Sequence, residues 1–206
     1  MHKVITICRE FGSGGRDAGK RLAEILRIPY YDDEIVTRLA ERTQLAETYV
    51  NQFSERDMES IRYFPAASRT RHRQMNPKLL QNINLRIEQD KLLHELAEKS
   101  DCVIVGRAAN YILRDFDPLR VFIYAEMECK MKRCREKSPE HAQMSDKDLK
   151  KHIQDIDKER AHYYASVTGR RWGKKAEYDI MINTSYYPIA LVAQIIAQPL
   201  LFGACD

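Results

Sequence analysis

The stretch Val4-Ile5-Thr6-Ile7-Cys8-Arg9-Glu10-Phe11-Gly12-Ser13-Gly14-Gly15-Arg16-Asp17-Ala18-Gly19-Lys20-Arg21-Leu22 decides how the rest of the chain is read. Val4 to Cys8 is an apolar, β-branched run of strand length, and Gly12, Gly14 and Gly15 break it. Ala18, Leu22, Ile25 and Leu26 then fall at i, i+4, i+7 and i+8, the apolar stripe of a helix that Pro29 ends. A glycine-rich turn between a first strand and a helix points successive backbone N–H groups inward. The helix N-terminus adds about half a positive charge, so such a turn suits phosphate.

Outward from this unit, short apolar runs alternate with helical patterns, the signature of βαβ units and a parallel sheet. Ile28–Tyr31, Cys102–Val105, Val121–Ala125 and Tyr178–Ile182 read as four more strands. Helices are predicted from Asp33, from Pro77 to about Lys99, from Glu126 to Glu136, from Ser145 to about Ala165 and from Pro188 to Ile196. A polar segment with Pro139 separates the third and fourth of these. Residues 45–76 are looser, with Tyr49, Phe53, Tyr63 and Phe64 among many charges, and read as an inserted lobe. The expectation is a three-layer α/β fold with a parallel sheet of about five strands.

The pattern G-x-x-x-x-G-K-[ST] nearly matches Gly14 to Arg21 but fails at Arg21, where a hydroxyl belongs. That register would start the helix only at Lys20, whereas the stripe begins at Ala18. The phosphate loop is therefore placed at Arg9–Arg16, with Gly12, Ser13 and Gly14 at its tip and the helix starting at Gly15 or Arg16.

In this frame the chain resembles the nucleoside monophosphate kinases, most closely the cytidylate kinase-like family, over about 1–45 and 100–200. The resemblance implies a P-loop kinase fold, ATP with Mg²⁺, nucleotide substrates, and phosphoryl transfer to CMP or dCMP. It also implies that 137–175 is the lid; it leaves the middle lobe, 45–76, unsupported, and that segment is read as an inserted acceptor-binding lobe. Gly14 keeps the family's glycine, but Gly15 stands where its lysine is usual. Gly12, Ser13, Gly14, Gly15, Arg16 and Asp17 are then the donor-binding residues, with Arg16 standing in for the lysine because guanidinium grips phosphate oxygens bidentately. Asp17 either approaches Mg²⁺ in place of a hydroxyl or simply favours the positive helix end. Asp32 and Arg38 match the segment after the second strand and are expected at the acceptor. Asp33 is a second Mg²⁺ candidate, or the cap of the following helix.

Val103-Ile104-Val105-Gly106-Arg107 ends a strand in Gly-Arg, where ligands of parallel sheets bind. Arg107 matches the family's acceptor arginine, while Ala108 replaces its aspartate. Arg133 and Arg135 lead into the lid on opposite faces of one helix, so at most one of them reaches phosphate. Asp157-Lys158-Glu159-Arg160 matches half of the lid pattern, which places Arg133 and Arg160 with Arg16 as the catalytic cations. Tyr178–Thr184 resembles the family's last strand, and Arg170–Lys175 is a basic loop either over the phosphates or merely exposed.

The net charge is only +4, which does not argue for a nucleic-acid or membrane-surface partner. Arg62–Arg73, with its interleaved aromatics, is read as part of the acceptor lobe in preference to a single-strand binding surface. No apolar run reaches the ~20 residues that span a bilayer. The N-terminus has no signal-peptide plan, and five cysteines without CxxC spacing fit reduced thiols, so a cytoplasmic protein is expected. No histidine has metal-site spacing, and no G-x-S-x-G elbow occurs. Because the loop lysine and the acceptor aspartate are both replaced, a nucleotide-binding protein without turnover stays open. So does a kinase of another small phosphorylated metabolite. The oligomeric state is not readable.

Overall fold

The computed structural model describes residues 3–55 and 77–201. Five parallel strands form one sheet: β1 (Val4–Arg9), β2 (Tyr30–Tyr31), β3 (Cys102–Val105), β4 (Leu119–Tyr124) and β5 (Ile180–Asn183), in the order β2-β3-β1-β4-β5. The central strand β1 aligns Ile5 with Val103 on one side and with Leu119 on the other. Chain order reverses at β1, so its carboxyl end opens where ligands of such sheets bind.

Period-two alternation sends the side chains of β3 to opposite layers. Cys102 and Ile104 join a core with helices α2 (Asp33–Thr43), α3 (Glu47–Glu55), α4 (Pro77–Lys99) and α8 (Asp146–Thr168). Val103 and Val105 join Ile5 and Ile7 under α1 (Gly15–Leu26) and α9 (Ile189–Leu201). The core is built on both faces, which explains why the strands read as continuous apolar runs. The remaining helices are α5 (Ala109–Ile112), α6 (Met127–Lys137) and α7 (Pro139–Gln143).

The first helix begins at Gly15, behind a left-handed Gly14, as the stripe at Ala18 requires. Gly19, half of the near-match to G-K-[ST], packs against Ile7, Tyr30 and Val105, and Lys20 is exposed. Several expectations needed correction. β2 is two residues long because only Tyr30 and Tyr31 pair with β3. Asp33 does not cap α2: it is the first helical residue, and the capping position is Asp32. α5 and α7 were not anticipated, being too short to show a period. Within 137–175, α8 buries Leu149, Ile153, Tyr163, Tyr164 and Val167. Of the expected 45–76 lobe, α3 is described and buries Val50 and Phe53, while 56–76, including Arg62–Arg73, lies outside the described residues.

Candidate active site

Two clefts meet at the carboxyl edge of the sheet. The larger, about 470 Å³, lies over the loop 10–14 and the first turn of α1, with Arg133 and Lys137 of α6 on its far wall. The smaller, about 50 Å³, lies between Asp32, the Gly106–Ala108 turn, Tyr163 and Trp172. Arg9, Arg16 and Arg160 line both clefts.

Gly12 at φ +73° and Gly14 at φ +80° give the loop its shape. A Cβ on Gly12 would lie 2.9 Å from the Lys130 carbonyl oxygen and from Cys134 Sγ, so the loop rests directly on α6. Ser13 closes the turn by donating through its N–H and Oγ to the Glu10 carbonyl at 3.3 and 2.8 Å. Arg133 donates to the Ser13 carbonyl at 3.3 Å and to Thr184 Oγ1 at 3.0 Å. Thr184 Oγ1 donates to the same Ser13 carbonyl at 2.7 Å, tying the loop to the end of β5. Phe11 N–H donates to Asp157 Oδ1 at 2.7 Å, and Arg160 donates to the Arg9 carbonyl at 3.3 Å while lying 5.6 Å over the Phe11 ring. The loop is therefore held from two helices, α6 and α8, and from the end of β5.

Under the loop, the buried Lys130 ammonium bridges Glu10 at 3.0 Å and Asp157 at 2.9 Å. Burial pulls its pKa down, but the two carboxylates outweigh this and raise it. Lys130 stays charged and pins the loop to α8.

At the smaller cleft, the buried Asp32 faces Arg16 Nε at 2.7 Å, Tyr30 Oη at 3.2 Å and Arg9 Nη2 at 3.7 Å. Burial, and then the Asp32 charge, push the Tyr30 hydroxyl far up, so it remains a donor. Gly106, Arg107 and Ala108 are all left-handed, at φ +78°, +57° and +52°. For the two non-glycine residues such backbone costs about 1 kcal/mol or more each, strain of the kind that clusters at functional sites. It brings Arg107 to the cleft wall. Four arginines (9, 16, 107 and 160) thus line a cleft that holds one carboxylate, Asp32, a surplus of positive charge suited to an anion.

The predicted site residues separate as follows. Gly12, Gly14, Gly15, Arg16, Asp17, Arg133 and Arg160 are brought together around the larger cleft, with Ser13 buried beneath the loop. Asp32 and Arg107 share the smaller one. Arg38 lines neither cleft: it pairs with Glu34 one turn away and lies 5.8 Å over Tyr31. Asp33 also lines neither and accepts from Arg16 at 2.8 Å, whereas Asp17 faces the larger cleft, paired with Lys137. Among the described residues no three His, Cys, Asp or Glu side chains form a metal-binding group. Arg135 turns to Asp146, and Arg170 of the basic loop pairs with Glu177 at 2.7 Å. Sequence reasoning missed Arg9, Glu10, Lys130, Lys137 and Thr184. The sole local signal was the placing of Arg9 and Glu10 between a strand and a glycine cluster.

A five-stranded parallel sheet in this order, with a glycine loop running from β1 into α1, defines a P-loop kinase fold. Residues 4–186 match the cytidylate kinase-like family, and the chain belongs to it. Among solved structures it is similar to an uncharacterized protein from Eubacterium ventriosum, at 24% identity and TM-score 0.70 over 98% of this chain and 99% of that one. It is also similar to shikimate kinase from Bacteroides thetaiotaomicron (18% identity, TM-score 0.56, 98% and 100% covered). The shikimate kinase from Acinetobacter baumannii in complex with shikimate gives 16% identity and TM-score 0.54 over 98% and 94%. At these identities the likeness is one of fold. No curated protein matches.

Proposed function

We propose that this chain transfers the terminal phosphoryl group of ATP to a nucleoside monophosphate, with CMP or dCMP as the first candidates. The observation that carries the reading is the meeting of the two clefts at Arg9, Arg16 and Arg160. An oxygen of the acceptor phosphate attacks the terminal phosphorus, the bond to the bridging oxygen breaks, and ADP leaves. Such transfer asks the protein for positioning and charge neutralisation, which glycines and arginines supply. The N–H groups at Gly12–Arg16 would hold the donor phosphates, and Asp17 would take Mg²⁺ on parting from Lys137. Arg107 would hold the acceptor phosphate and Asp32 its sugar, without Arg38 or Asp33. Residues 45–76 and 137–175 would then serve as acceptor lobe and lid. The free thiols Cys8, Cys102, Cys129 and Cys134 suit the cytoplasm.

A second reading, a smaller phosphorylated metabolite as acceptor, is favoured by the volume of about 50 Å³, since ligand pockets commonly hold ~300 Å³ or more. A coupled assay of ADP release decides between them, run with ATP, Mg²⁺ and each acceptor in turn. Turnover highest with CMP or dCMP is expected. Turnover with a small sugar phosphate alone would install the second reading, and none with any acceptor would leave a nucleotide-binding protein.

A further inference from the structure

Gly15 stands where a loop lysine is usual, and the space above it is taken. A Cβ on Gly15 would lie 2.4 Å from Arg9 Cβ and 2.9 Å from Arg9 Cγ. Any side chain at position 15, lysine included, collides with Arg9. The arginine then runs to the end of β3, where a Cβ on Gly106 would lie 2.2 Å from Arg9 Nη1. Two glycines, at the start of α1 and after β3, therefore clear the path of one side chain.

That side chain is 13% exposed and thinly compensated. Its Asp32 partner is 3.7 Å away and is engaged more closely by Arg16, at 2.7 Å. Arg9 Nε is buried with no hydrogen-bond partner among the described residues. A buried guanidinium with unmet donors is costly, and an oxyanion with several oxygens offsets that cost. Arg16, by contrast, is half exposed and tied to both Asp32 and Asp33.

We propose that Arg9 does the work of the absent loop lysine. It passes under the helix start, donates to the phosphoryl oxygens where the two clefts meet, and requires glycine at position 15 to do so. The cation has moved from the end of the loop to its beginning, and the small residue has moved the other way. The inference rests on the phosphotransferase reading above, and it makes Arg9 a catalytic residue of that reaction, where the sequence pointed to Arg16.

The test combines calorimetric ATP titration, the coupled turnover assay and thermal melts on Arg9→Gln, Arg9→Lys and the transposed double variant Arg9→Gly with Gly15→Lys. Arg9→Gln should lose roughly tenfold or more in ATP affinity, with Arg9→Lys recovering part of it. An Arg9→Gln protein with wild-type affinity and turnover overturns the assignment. Should Arg9→Gln fail to fold, the double variant decides. ATP affinity recovered to within about threefold of wild type supports the exchange, and a loss no smaller than that of the single variant Arg9→Gly, measured alongside, overturns it. Arg9-dependent ATP binding without turnover on any acceptor would fell the kinase reading and keep this one. Turnover that Arg9→Gln leaves untouched would do the reverse, and a wild-type chain that binds no ATP fells both.

Discussion

The two clefts at the edge of the sheet are built in opposite ways. Around the larger one the loop is held mainly through its own backbone. The Ser13 carbonyl receives Arg133 and Thr184, the Arg9 carbonyl receives Arg160, and Phe11 N–H reaches Asp157. The smaller cleft is held by side chains that occupy it: Asp32 is met by Arg16, Tyr30 and Arg9, and Tyr163 and Trp172 complete the wall. A backbone cradle is ready before its ligand arrives, whereas a cleft full of ion pairs must exchange them for ligand contacts. The larger cleft is preorganised, and the smaller one must rearrange to take a ligand.

The contrast is broken most severely under the loop. Lys130→Met leaves the partly buried Glu10 and Asp157 as an unrelieved pair of like charges, which should cost about 1 to 3 kcal/mol, a fall in Tm on the order of 5 °C. The folded lysine pKa is raised, so its stabilisation is fully present below the ordinary value near ~10.4 and is lost only as pH rises through the raised one. Melts of wild type and variant at about pH 7 and about pH 9 should differ by the same amount. A gap that closes by pH 9 would mean that Lys130 is not held charged.

On the acceptor side, Arg107→Ala should raise the monophosphate KM or lower kcat by roughly 10 to 100-fold, with ATP affinity measured alone little changed. Arg107→Lys should recover only part, because a point charge does not reproduce the guanidinium fork. Equal loss of both ligands would show that the two clefts are not separable. Asp33→Asn tests a smaller effect. The carboxylate is exposed and its pair with Arg16 is worth about 1 kcal/mol or less, so stability and Mg²⁺ dependence should hold. A large change in the Mg²⁺ requirement would return Asp33 to the metal site.

The smallest effect concerns Cys8, which lines the smaller cleft. Burial pushes its thiol up to about 11, with Tyr178, Arg9 and Arg160 pulling only weakly against it. Because thiolate is the reactive form, alkylation at neutral pH should reach the half-buried Cys129 long before Cys8. Early labelling of Cys8, read by peptide mass, would show that the cleft opens readily without substrate.

Much of the fold was legible because periodicity survives any tertiary arrangement. The stripe from Ala18 placed the helix start at Gly15 or Arg16, and it falls at Gly15; the continuous apolar runs at β1, β3 and β4 mark strands covered on both faces. The helices α5 and α7 escaped because four or five residues carry no period. Asp33 was read as a Mg²⁺ candidate or a cap because its residue type suits both, yet Arg16, seventeen positions earlier, claims its carboxylate. Arg38 was assigned to the acceptor by likeness, and its own helix placed it beside Glu34.

By itself the sequence determined the sheet, the register of the phosphate loop, and the grouping of Gly12–Asp17 and Arg107 at one edge. These follow from local spacing and from the rule that parallel strands end on one side. Only the tertiary structure decided which cations share a cleft, because partners such as Lys130 with Glu10, or Thr184 with Ser13, lie more than a hundred residues apart. It also decided why position 15 is glycine. The reason is a 2.4 Å approach to the side chain of Arg9, and steric exclusion between two residues of a turning loop has no periodicity for a sequence to display.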